Sequence, residues 1–312
     1  MKILISDKMS NKVEDVLKSK QINFDIKTGM SPEELKEVID QYDGILIRSA
    51  TKLTSDILAD CKNLKVIGRA GVGVDNVDLD QATKNKILVM NTPLGNLEAT
   101  AELSVGLMFS LMRNIHLAND STHQGKWEKP KFIGTELKGK TLGIVGYGNI
   151  GQRVAEICST IGMNIITNSK SASDEDLSRF KAKKVSTEQL IKEADIVSIH
   201  TKLSDETKYM FNKETLSSMK PTSVIINCAR GGIVNEEAIK NSLIAEEIAG
   251  YGCDVYEEEP QKNSIFSGMN NVVMTPHIGA GTKEAQEKVA VQIAEQLVDF
   301  LLNNNIANQV NI

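Results

Sequence analysis

A glycine-rich segment that joins a predicted strand to a predicted helix constrains the fold of this chain most strongly. The apolar run Thr141–Val145 leads directly into Gly146-Tyr147-Gly148-Asn149-Ile150-Gly151, and a helical pattern continues to Ile161. In a G-x-G-x-x-G turn, the first glycine allows the tight turn, the second lets the backbone approach a pyrophosphate, and the third lets the helix pack on the strand. The N–H groups at the start of the helix then point at the anion. The segment therefore predicts a dinucleotide-binding loop.

Short apolar runs rich in β-branched residues alternate with helical patterns along the whole chain. This alternation is typical of parallel sheets in α/β layers. Several runs are apolar without a two-residue period, as expected of strands covered on both faces. We therefore predict an α/β fold of two doubly wound parallel-sheet domains, Rossmann-like or flavodoxin-like, with a cleft between them. The other predicted strands are Lys2–Asp7, Gly44–Ser49, Val66–Ala70, Leu88–Thr92, Asn164–Asn168, Asp195–Thr201, Ser223–Ala229, Cys253–Tyr256 and Val272–Pro276.

Two long amphipathic helices suggest where the domains meet. Leucines and an isoleucine recur every four residues between Ala99 and Asn119, and we interpret this helix as a bridge. A second helix, between Val289 and Leu301, closes the chain and suggests a return to the first domain. We expect residues 1–98 and 285–312 to form a discontinuous substrate-binding domain, and residues 99–284 to form the dinucleotide-binding domain.

Composition excludes several classes of partner. The net charge of −5 gives no basic surplus for a nucleic acid or an anionic membrane surface. The first residues lack the long apolar region of a signal peptide, so we expect a cytoplasmic protein. The four cysteines are far apart and form no CxxC pair, which indicates neither a zinc site nor a disulfide framework. No metal is expected.

The adenosine end of the nucleotide site lacks an expected acid. About 20 residues after the glycine motif, an NAD-binding unit usually presents Asp or Glu to the ribose hydroxyls. Here the second strand ends in Thr167-Asn168-Ser169-Lys170. A hydroxyl followed by a cation would tolerate the 2′-phosphate of NADP. We expect NAD and leave NADP open, because Lys170 could also be a solvated lysine beside an ordinary NAD site.

Three polar side chains follow later predicted strands, where open α/β sheets bind their ligands. Arg230 ends a buried run and offers a planar fork that suits a carboxylate. His277 could exchange a hydroxyl proton near neutral pH, with Glu259 favouring its charged form. Singly, such residues are more often ion pairs or solvated loops, and His200 is a rival base. The joint placement of Arg230, Glu259 and His277 after a dinucleotide-binding segment predicts an acid–base site with a side chain that binds an anion.

The order of GYGNIG, NCARGGIV, DVYEEEP and TPHIGA along the chain resembles the D-isomer-specific 2-hydroxyacid dehydrogenases. The resemblance covers nearly the whole chain. The segments LIRSATKLT, GRAGVGVDNVDLD, NTPLGN and GTELKGKTLGIVGYG look most like members that oxidise D-3-phosphoglycerate in serine biosynthesis. Other readings stay open: a hydroxypyruvate/glyoxylate reductase, another D-2-hydroxyacid dehydrogenase such as a D-lactate enzyme, or a non-catalytic nucleotide-sensing protein.

The resemblance also implies residue roles. Arg230 would be the substrate-binding catalytic arginine, Glu259 would assist the histidine, and His277 would be the general acid and base. Arg230 and His277 would both contact the substrate. Backbone N–H groups near Val72 and Gly73 would cradle its carboxylate, and its phosphate would meet Arg48, Ser49 and Arg69. Asp254 would hold the nicotinamide carboxamide. The implied cofactor contacts are Gly146, Gly148, Asn149, Ile150, Gly151, Ser169, Lys170, Thr201, Cys228, Ala229, Asp254 and Gly279.

Three further expectations concern departures and assembly. The acid that usually ends the second strand is Ser169, and the usual proline after His200-Thr201 is Lys202, so both departures bear on the cofactor. The chain ends soon after its closing helix, which suggests a short form without a C-terminal regulatory domain or serine feedback.

The resemblance implies a homodimer through the nucleotide-binding domain. The polar segment Asp120–Lys140, which contains Trp127, would be either a plain loop or an arm around the partner.

Overall fold

The computed structural model describes residues 1–311, which form two compact units. The first unit contains Met1–Leu97 and the segment that begins at Ala280, and the second is Glu98–Gly279. Each unit is built on one sheet whose strand pairs are all parallel. The predicted fold class, two parallel-sheet α/β domains, is confirmed.

The first unit has a five-stranded sheet in the order β2-β1-β3-β4-β5. This is the order of a flavodoxin-like doubly wound sheet. Its strands are β1 Lys2–Ile5, β2 Asn23–Ile26, β3 Gly44–Ile47, β4 Val66–Arg69 and β5 Leu88–Met90. Its helices are α1 Lys12–Ser19, α2 Pro32–Val38, α3 Ser55–Leu58, α4 Leu79–Lys84 and α12 Lys283–Asn303, with a 3-10 turn at Ile39–Gln41.

The core of the first unit lies on both faces of this sheet. Successive residues of β3 point in opposite directions, so Leu46 packs with Ile293 and Leu297 of α12. Ile45 and Ile47 pack on the other face in a cluster that includes Leu35 and Leu58. Because both faces are covered, β3 is an uninterrupted apolar run, as the sequence predicted. The last helix, α12, packs against the face of the first sheet that carries Leu46.

The second unit has a seven-stranded sheet in the order β12-β11-β10-β9-β6-β7-β8. Counted from β6, this is the Rossmann order with one further strand, and the order reverses between β6 and β9. Its strands are β6 Thr141–Val145, β7 Asn164–Thr167, β8 Lys183–Lys184, β9 Ile196–Ile199, β10 Val224–Asn227, β11 Gly250–Cys253 and β12 Val272–Met274. Its helices are α5 Leu97–Met112, whose first residue belongs to the first unit, α6 Ile115–His123, α7 Asn149–Ile161, α8 Asp174–Arg179, α9 Thr187–Glu193, α10 Lys213–Ser217 and α11 Glu236–Ile244, with a 3-10 turn at Lys129–Phe132.

Three elements of the second unit differ from the sequence prediction, and one of them is the two-residue edge strand β8, which was not predicted. The predicted bridging helix is two helices, α5 and α6, because Asn114 adopts a left-handed conformation with φ of 52° between them. The predicted strand Cys253–Tyr256 is wrong in position, since β11 precedes Asp254. Glycines at 250 and 252 hid this strand, because glycine is rare in strands. A Cβ at Gly252 would lie 2.9 Å from Ile226 Cδ1, so the close packing of the sheet requires a glycine there.

Among residues 1–311, no helix combines the length and apolar character needed to cross a membrane.

Candidate active site

The glycine-rich turn between β6 and α7 has the geometry that its sequence predicts. Gly146 has a φ of 91°, a backbone conformation that other residues rarely adopt. A Cβ at Gly151 would lie 2.2 Å from the carbonyl oxygen of Gly146, so the helix can approach the strand only with glycine there. At Gly148, in contrast, a Cβ would project into open space. The backbone at the second glycine is thus open to approach from outside.

The start of α7 fits the phosphates of a dinucleotide. Gly148 is the N-terminal cap of α7 and provides no side-chain acceptor for the first N–H groups of the helix. Unpaired N–H groups and the helix dipole favour an anion at such an end. The open space at Gly148 is the room that a pyrophosphate needs. Asn149, Ile150 and Gly151, the predicted cofactor contacts, form this first turn.

The glycine turn lies where the strand order of the second sheet reverses. β6 pairs with β7 on one side and with β9 on the other, and a Cβ at Gly146 would lie 2.8 Å from the backbone nitrogen of Thr201. Two other predicted cofactor contacts, Cys228 and Ala229, follow β10 directly and are buried. In open α/β sheets the ligand lies outside the carboxyl ends of the strands at this reversal.

The rival base His200 lies beside the same turn and is half-buried. Its Nε2 lies 2.8 Å from the hydroxyl of Ser198. Burial lowers the pKa of this imidazole to about 4. The ring therefore stays neutral near pH 7, which makes His200 a poor choice for a group that must gain and lose a proton.

Ser169 and Lys170 lie just beyond the end of β7, at the predicted adenosine end. The Ser169 N–H donates to Thr167 Oγ1 at 3.2 Å, and its hydroxyl lies 3.3 Å from that of Ser171. Lys170 is exposed, and its carbonyl accepts a hydrogen bond from Lys184 Nζ at 3.0 Å. Lys170, three residues beyond β7, and Lys184, the last residue of β8, thus supply two ammonium groups at this end of the sheet, and the segment Thr167–Lys170 supplies no carboxylate side chain.

The structure brings two of the predicted catalytic side chains into direct contact. His277 Nδ1 lies 2.6 Å from Glu259 Oε2, and the other carboxylate oxygen accepts the Tyr256 N–H at 3.0 Å. Among residues 1–311, no group forms a hydrogen bond with His277 Nε2, and about half of the side chain is exposed. A histidine held through one ring nitrogen with the other ring nitrogen available can exchange a proton with a bound molecule.

The contact changes the proton affinity of both groups. The hydrogen bond to Glu259 is the largest influence on His277 and raises its pKa, although burial and the charge of Arg230 oppose it. Burial is the largest influence on Glu259 and raises its pKa. The hydrogen bond and charge of His277, with Arg230, outweigh it, so the net pKa of Glu259 is lowered. Both shifts favour an ion pair of imidazolium and carboxylate.

Asp254 holds the loop that carries His277. Its buried carboxylate accepts the N–H groups of Ile278 and Gly279, each at 2.7 Å, and the hydroxyl of Thr275 at 2.6 Å. The bonded residues lie on both sides of His277 in the chain and so hold its backbone in place. Its φ of 54° is uncommon for a residue with a side chain. The resemblance implied that Asp254 contacts the nicotinamide carboxamide, and no sequence pattern indicated that Asp254 also holds this loop. Three of the roughly four acceptor positions of the carboxylate are used inside the protein.

The third predicted catalytic residue, Arg230, lies on a turn that follows β10. Its Nη1 donates to the Ala229 carbonyl at 2.7 Å, and its own carbonyl accepts Asn227 Nδ2 at 2.9 Å. Its positive charge lowers the pKa of both Glu259 and His277, which places it near the pair. The structure thus assembles Arg230, Glu259 and His277 from three separate loops of the second unit. Their catalytic roles stay predictions.

The predicted substrate-binding residues of the first unit lie on loops that follow β3 and β4. Arg48 and Ser49 come directly after β3, and Arg69 ends β4. The N–H groups of Val72 and Gly73 are not taken by any acceptor among residues 1–311, which leaves them available for an anion. Their roles in substrate binding also stay predictions.

Sequence reasoning missed the residues that hold the loop after β3. The buried carboxylate of Asp7 accepts the N–H of Arg48 at 2.5 Å and the hydroxyl of Thr51 at 2.8 Å. Asn76 Nδ2 donates to the carbonyls of Arg48 and Thr51 at 2.7 and 2.6 Å. The only signal was an acid just after β1, at the same sheet edge as Arg48.

Comparisons with known proteins identify the family. The model of the D-isomer specific 2-hydroxyacid dehydrogenase NAD binding domain matches residues 105–279. The chain is 43% identical over 311 residues to D-3-phosphoglycerate dehydrogenase of Synechocystis, covering 100% of this chain and 56% of the relative. It is 39% identical to the enzyme of that name from Archaeoglobus fulgidus, covering 100% of this chain and 59% of the relative. The chain therefore spans less than two thirds of these curated relatives.

A solved structure of a named enzyme has the same fold as this chain. The glyoxylate reductase from Paecilomyes thermophila superposes with a TM-score of 0.90 at 29% identity, covering 99% of this chain and 97% of that one.

Proposed function

Because the chain belongs to the D-isomer-specific 2-hydroxyacid dehydrogenase family, we propose that it interconverts D-3-phosphoglycerate and 3-phosphohydroxypyruvate with a nicotinamide cofactor. The observation that carries this proposal is the contact of His277 with Glu259, with the charge of Arg230 nearby. This set lies in the same unit as the glycine turn. The curated relatives that share the whole of this chain support the choice of substrate.

The chemistry divides among the three side chains. In the oxidative direction, His277 Nε2 takes the proton of the 2-hydroxyl, and in the reductive direction it returns that proton. Glu259, bound to Nδ1, stabilises the imidazolium that forms. Arg230 binds the substrate carboxylate and orients the neighbouring carbon. The bound nicotinamide supplies the hydride acceptor or donor.

Arg48, Ser49 and Arg69 are proposed to bind the substrate phosphate. We expect Arg48→Ala to raise KM for 3-phosphohydroxypyruvate by about tenfold or more, since a charge-assisted contact contributes roughly 1.5–3 kcal/mol. KM for glyoxylate, which has no phosphate, should stay the same. Lys52→Ala is the matched control, because it removes an exposed positive charge from the same loop and leaves Arg48 in place.

An equal effect of Arg48→Ala on both substrates would contradict phosphate recognition by this residue. Faster turnover of glyoxylate or hydroxypyruvate than of 3-phosphohydroxypyruvate by the wild-type protein would favour the alternative of a hydroxypyruvate/glyoxylate reductase.

Cofactor choice is part of the proposal: the site binds NAD and also accepts NADP. The support is the sequence Ser169-Lys170, with Lys184 nearby, where an acid would repel the 2′-phosphate. Fluorescence titration with NADH and NADPH should give dissociation constants within about tenfold of each other, a difference of about 1.4 kcal/mol. Ser169→Asp should weaken NADPH alone. A preference of about a hundredfold for NADH in the wild type would contradict this.

Assembly and location complete the proposal. We place the protein in the cytoplasm, where the four free and buried cysteines would remain reduced. We propose a homodimer through the second unit, because Trp127 and Ile133 there are 86% and 83% exposed. Both belong to the polar segment Asp120–Lys140, for which the sequence left open a plain loop or an arm around the partner.

A further inference from the structure

The loop that carries Glu259 is fastened to the start of helix α11 by two glutamates. The N–H of Glu257 donates to Glu236 Oε1 at 2.8 Å, and the N–H of Glu236 donates to Glu257 Oε1 at 2.9 Å. Glu236 is the first residue of this nine-residue helix. The Glu257 carboxylate therefore binds a helix N-terminus, where the dipole stabilises negative charge. The two bonds fix the backbone of both segments at one point.

A tyrosine extends this connection to the turn of the catalytic arginine. Tyr209 Oη donates to Glu257 Oε2 at 3.0 Å, while its backbone N–H donates to the Gly232 carbonyl at 2.7 Å. Gly232 is two residues after Arg230 on the same turn. We call Glu236, Glu257 and Tyr209 the carboxylate clamp. It ties together the loop of Glu259 and the turn of Arg230.

The clamp acts two residues away from Glu259. Tyr256 precedes Glu257 on the same loop. Its N–H donates to Glu259 Oε1, and its hydroxyl donates to the Thr275 carbonyl at 2.9 Å. Thr275 in turn begins the loop of His277. We infer that the carboxylate clamp positions Glu259 against His277, and that Glu236 is a positioning residue for the acid–base pair. This inference rests on the role proposed above for His277.

Position, and not charge, is the route by which Glu236 would act. The charged groups that influence His277 are Glu259, Asp254 and Arg230, and Glu236 is not among them. Burial is the largest influence on the pKa of Glu236 itself and raises it, while the hydrogen bond from the Glu257 N–H lowers this pKa and the charge of Glu257 raises it. The other groups that sense its charge are Tyr209, Tyr251, Cys253 and Tyr256. Removing the charge while keeping the acceptor should therefore leave His277 unchanged.

The test is an NMR titration of the histidine side chains in the full chain, without substrate. The chain has four histidines, and His277→Asn assigns the signal of interest. In Glu236→Ala the pKa of His277 should fall toward its ordinary value of about 6.5. In Glu236→Gln, whose amide oxygen can still accept the Glu257 N–H, it should stay at the wild-type value. Glu237→Ala, an exposed neighbour on the same helix, is the matched control.

Kinetics give a second readout. With 3-phosphohydroxypyruvate, Glu236→Ala should lower kcat by about tenfold, because a small misplacement of a catalytic group costs up to about a hundredfold. KM should stay within about twofold, and Glu236→Gln should restore kcat. Tyr209→Phe, which removes one hydroxyl, should shift the pKa of His277 in the same direction by less, and it covers the case in which Glu236→Ala does not fold.

Two results would overturn the role of the clamp. One is an unchanged pKa of His277 in folded Glu236→Ala, or in Tyr209→Phe if the alanine variant does not fold. The other is an equal shift in Glu236→Gln and Glu236→Ala, which would indicate charge and not position. Because the titration needs no substrate, failure of the protein to reduce 3-phosphohydroxypyruvate would contradict the proposed function separately.

Discussion

At the scale of single residues, the proposed chemistry depends most on the contact between His277 and Glu259. The residue types alone indicated that a carboxylate should raise the pKa of an imidazole, and the contact of 2.6 Å supplies that partner. The sequence did not indicate how His277 is held. Its left-handed backbone and the three bonds to Asp254 depend on strands β11 and β12 lying side by side. Such contacts between residues far apart in the chain leave no local pattern.

Glu259→Gln tests the electrostatic part of this pair. A neutral amide removes the main cause of the raised pKa of His277, so that pKa should fall. Reduction of the keto acid needs the protonated imidazole, so kcat/KM for reduction declines as pH rises through this pKa. In Glu259→Gln this decline should begin at lower pH. Oxidation needs the neutral imidazole, so kcat/KM for oxidation rises with pH through the same pKa, and this rise should also move to lower pH in the variant.

The neighbouring Glu258→Gln is the control, because Glu258 is exposed. Superimposable pH profiles for wild type and Glu259→Gln would show that Glu259 does not set the proton affinity of the catalytic group.

At the scale of elements, buried runs of β-branched residues were predictable as strands, whereas the partly exposed edge strands β2 and β8 were not predicted and β11 was misplaced. Strand β10, Val-Ile-Ile-Asn, was found because both faces are buried. Edge strand β8 contains only two exposed lysines, and β11 alternates glycine with larger residues. In β11 the small residues make room for Ile226 and for Leu107 of α5, so packing requirements override strand propensity. The prediction placed Asp254 inside the strand Cys253–Tyr256, whereas in the structure Asp254 follows β11 directly at its carboxyl end.

Gly231→Ala tests how closely the arginine turn approaches the Glu259 loop. A Cβ at Gly231 would lie 1.7 Å from the Tyr256 carbonyl oxygen, and backbone cannot move aside cheaply. We expect a loss of about 1–3 kcal/mol in the free energy of unfolding, measured by urea denaturation, and a drop in kcat. Gly106→Ala in helix α5 is the control, since a Cβ there meets nothing within 4 Å.

The control should be neutral or slightly stabilising, because alanine favours a helix by up to about 1 kcal/mol over glycine. If Gly231→Ala had the stability and turnover of the wild type, the close approach of the Arg230 turn to the Glu259 loop would not be required.

At the scale of the whole molecule, the fold class and the family could both be predicted from the sequence; the sheet topology confirms the fold class, and the comparisons confirm the family. Residue roles in the first unit could be anticipated only by resemblance, since Arg48 and Arg69 carry no local pattern of phosphate binding. Assembly is harder to anticipate, because exposed apolar residues such as Trp127 and Ile133 occur within a polar segment. Hydrophobic periodicity reports on the core of a chain and not on its surface.

The proposed dimer gives a prediction at this scale. Sedimentation should report a mass near twice the 34.2 kDa of one chain. Ile133→Asp should shift the species toward the monomer, because it places a charge in an apolar contact. The emission of Trp127, the only tryptophan, should then move to longer wavelength as the ring meets water. A monomeric wild type, or an unchanged mass in Ile133→Asp, would contradict an interface at this segment.

The most direct measurement is the loss of reduced-nicotinamide absorbance with 3-phosphohydroxypyruvate in wild type and His277→Asn. Asparagine keeps a polar side chain and tolerates the left-handed backbone, but it cannot act as a general acid or base. We predict turnover by the wild type and a fall in kcat of about 10²–10⁴-fold in the variant, with NADH binding retained. Near-normal turnover by His277→Asn, or no turnover of any 2-keto acid by the wild type, would contradict acid–base catalysis at His277.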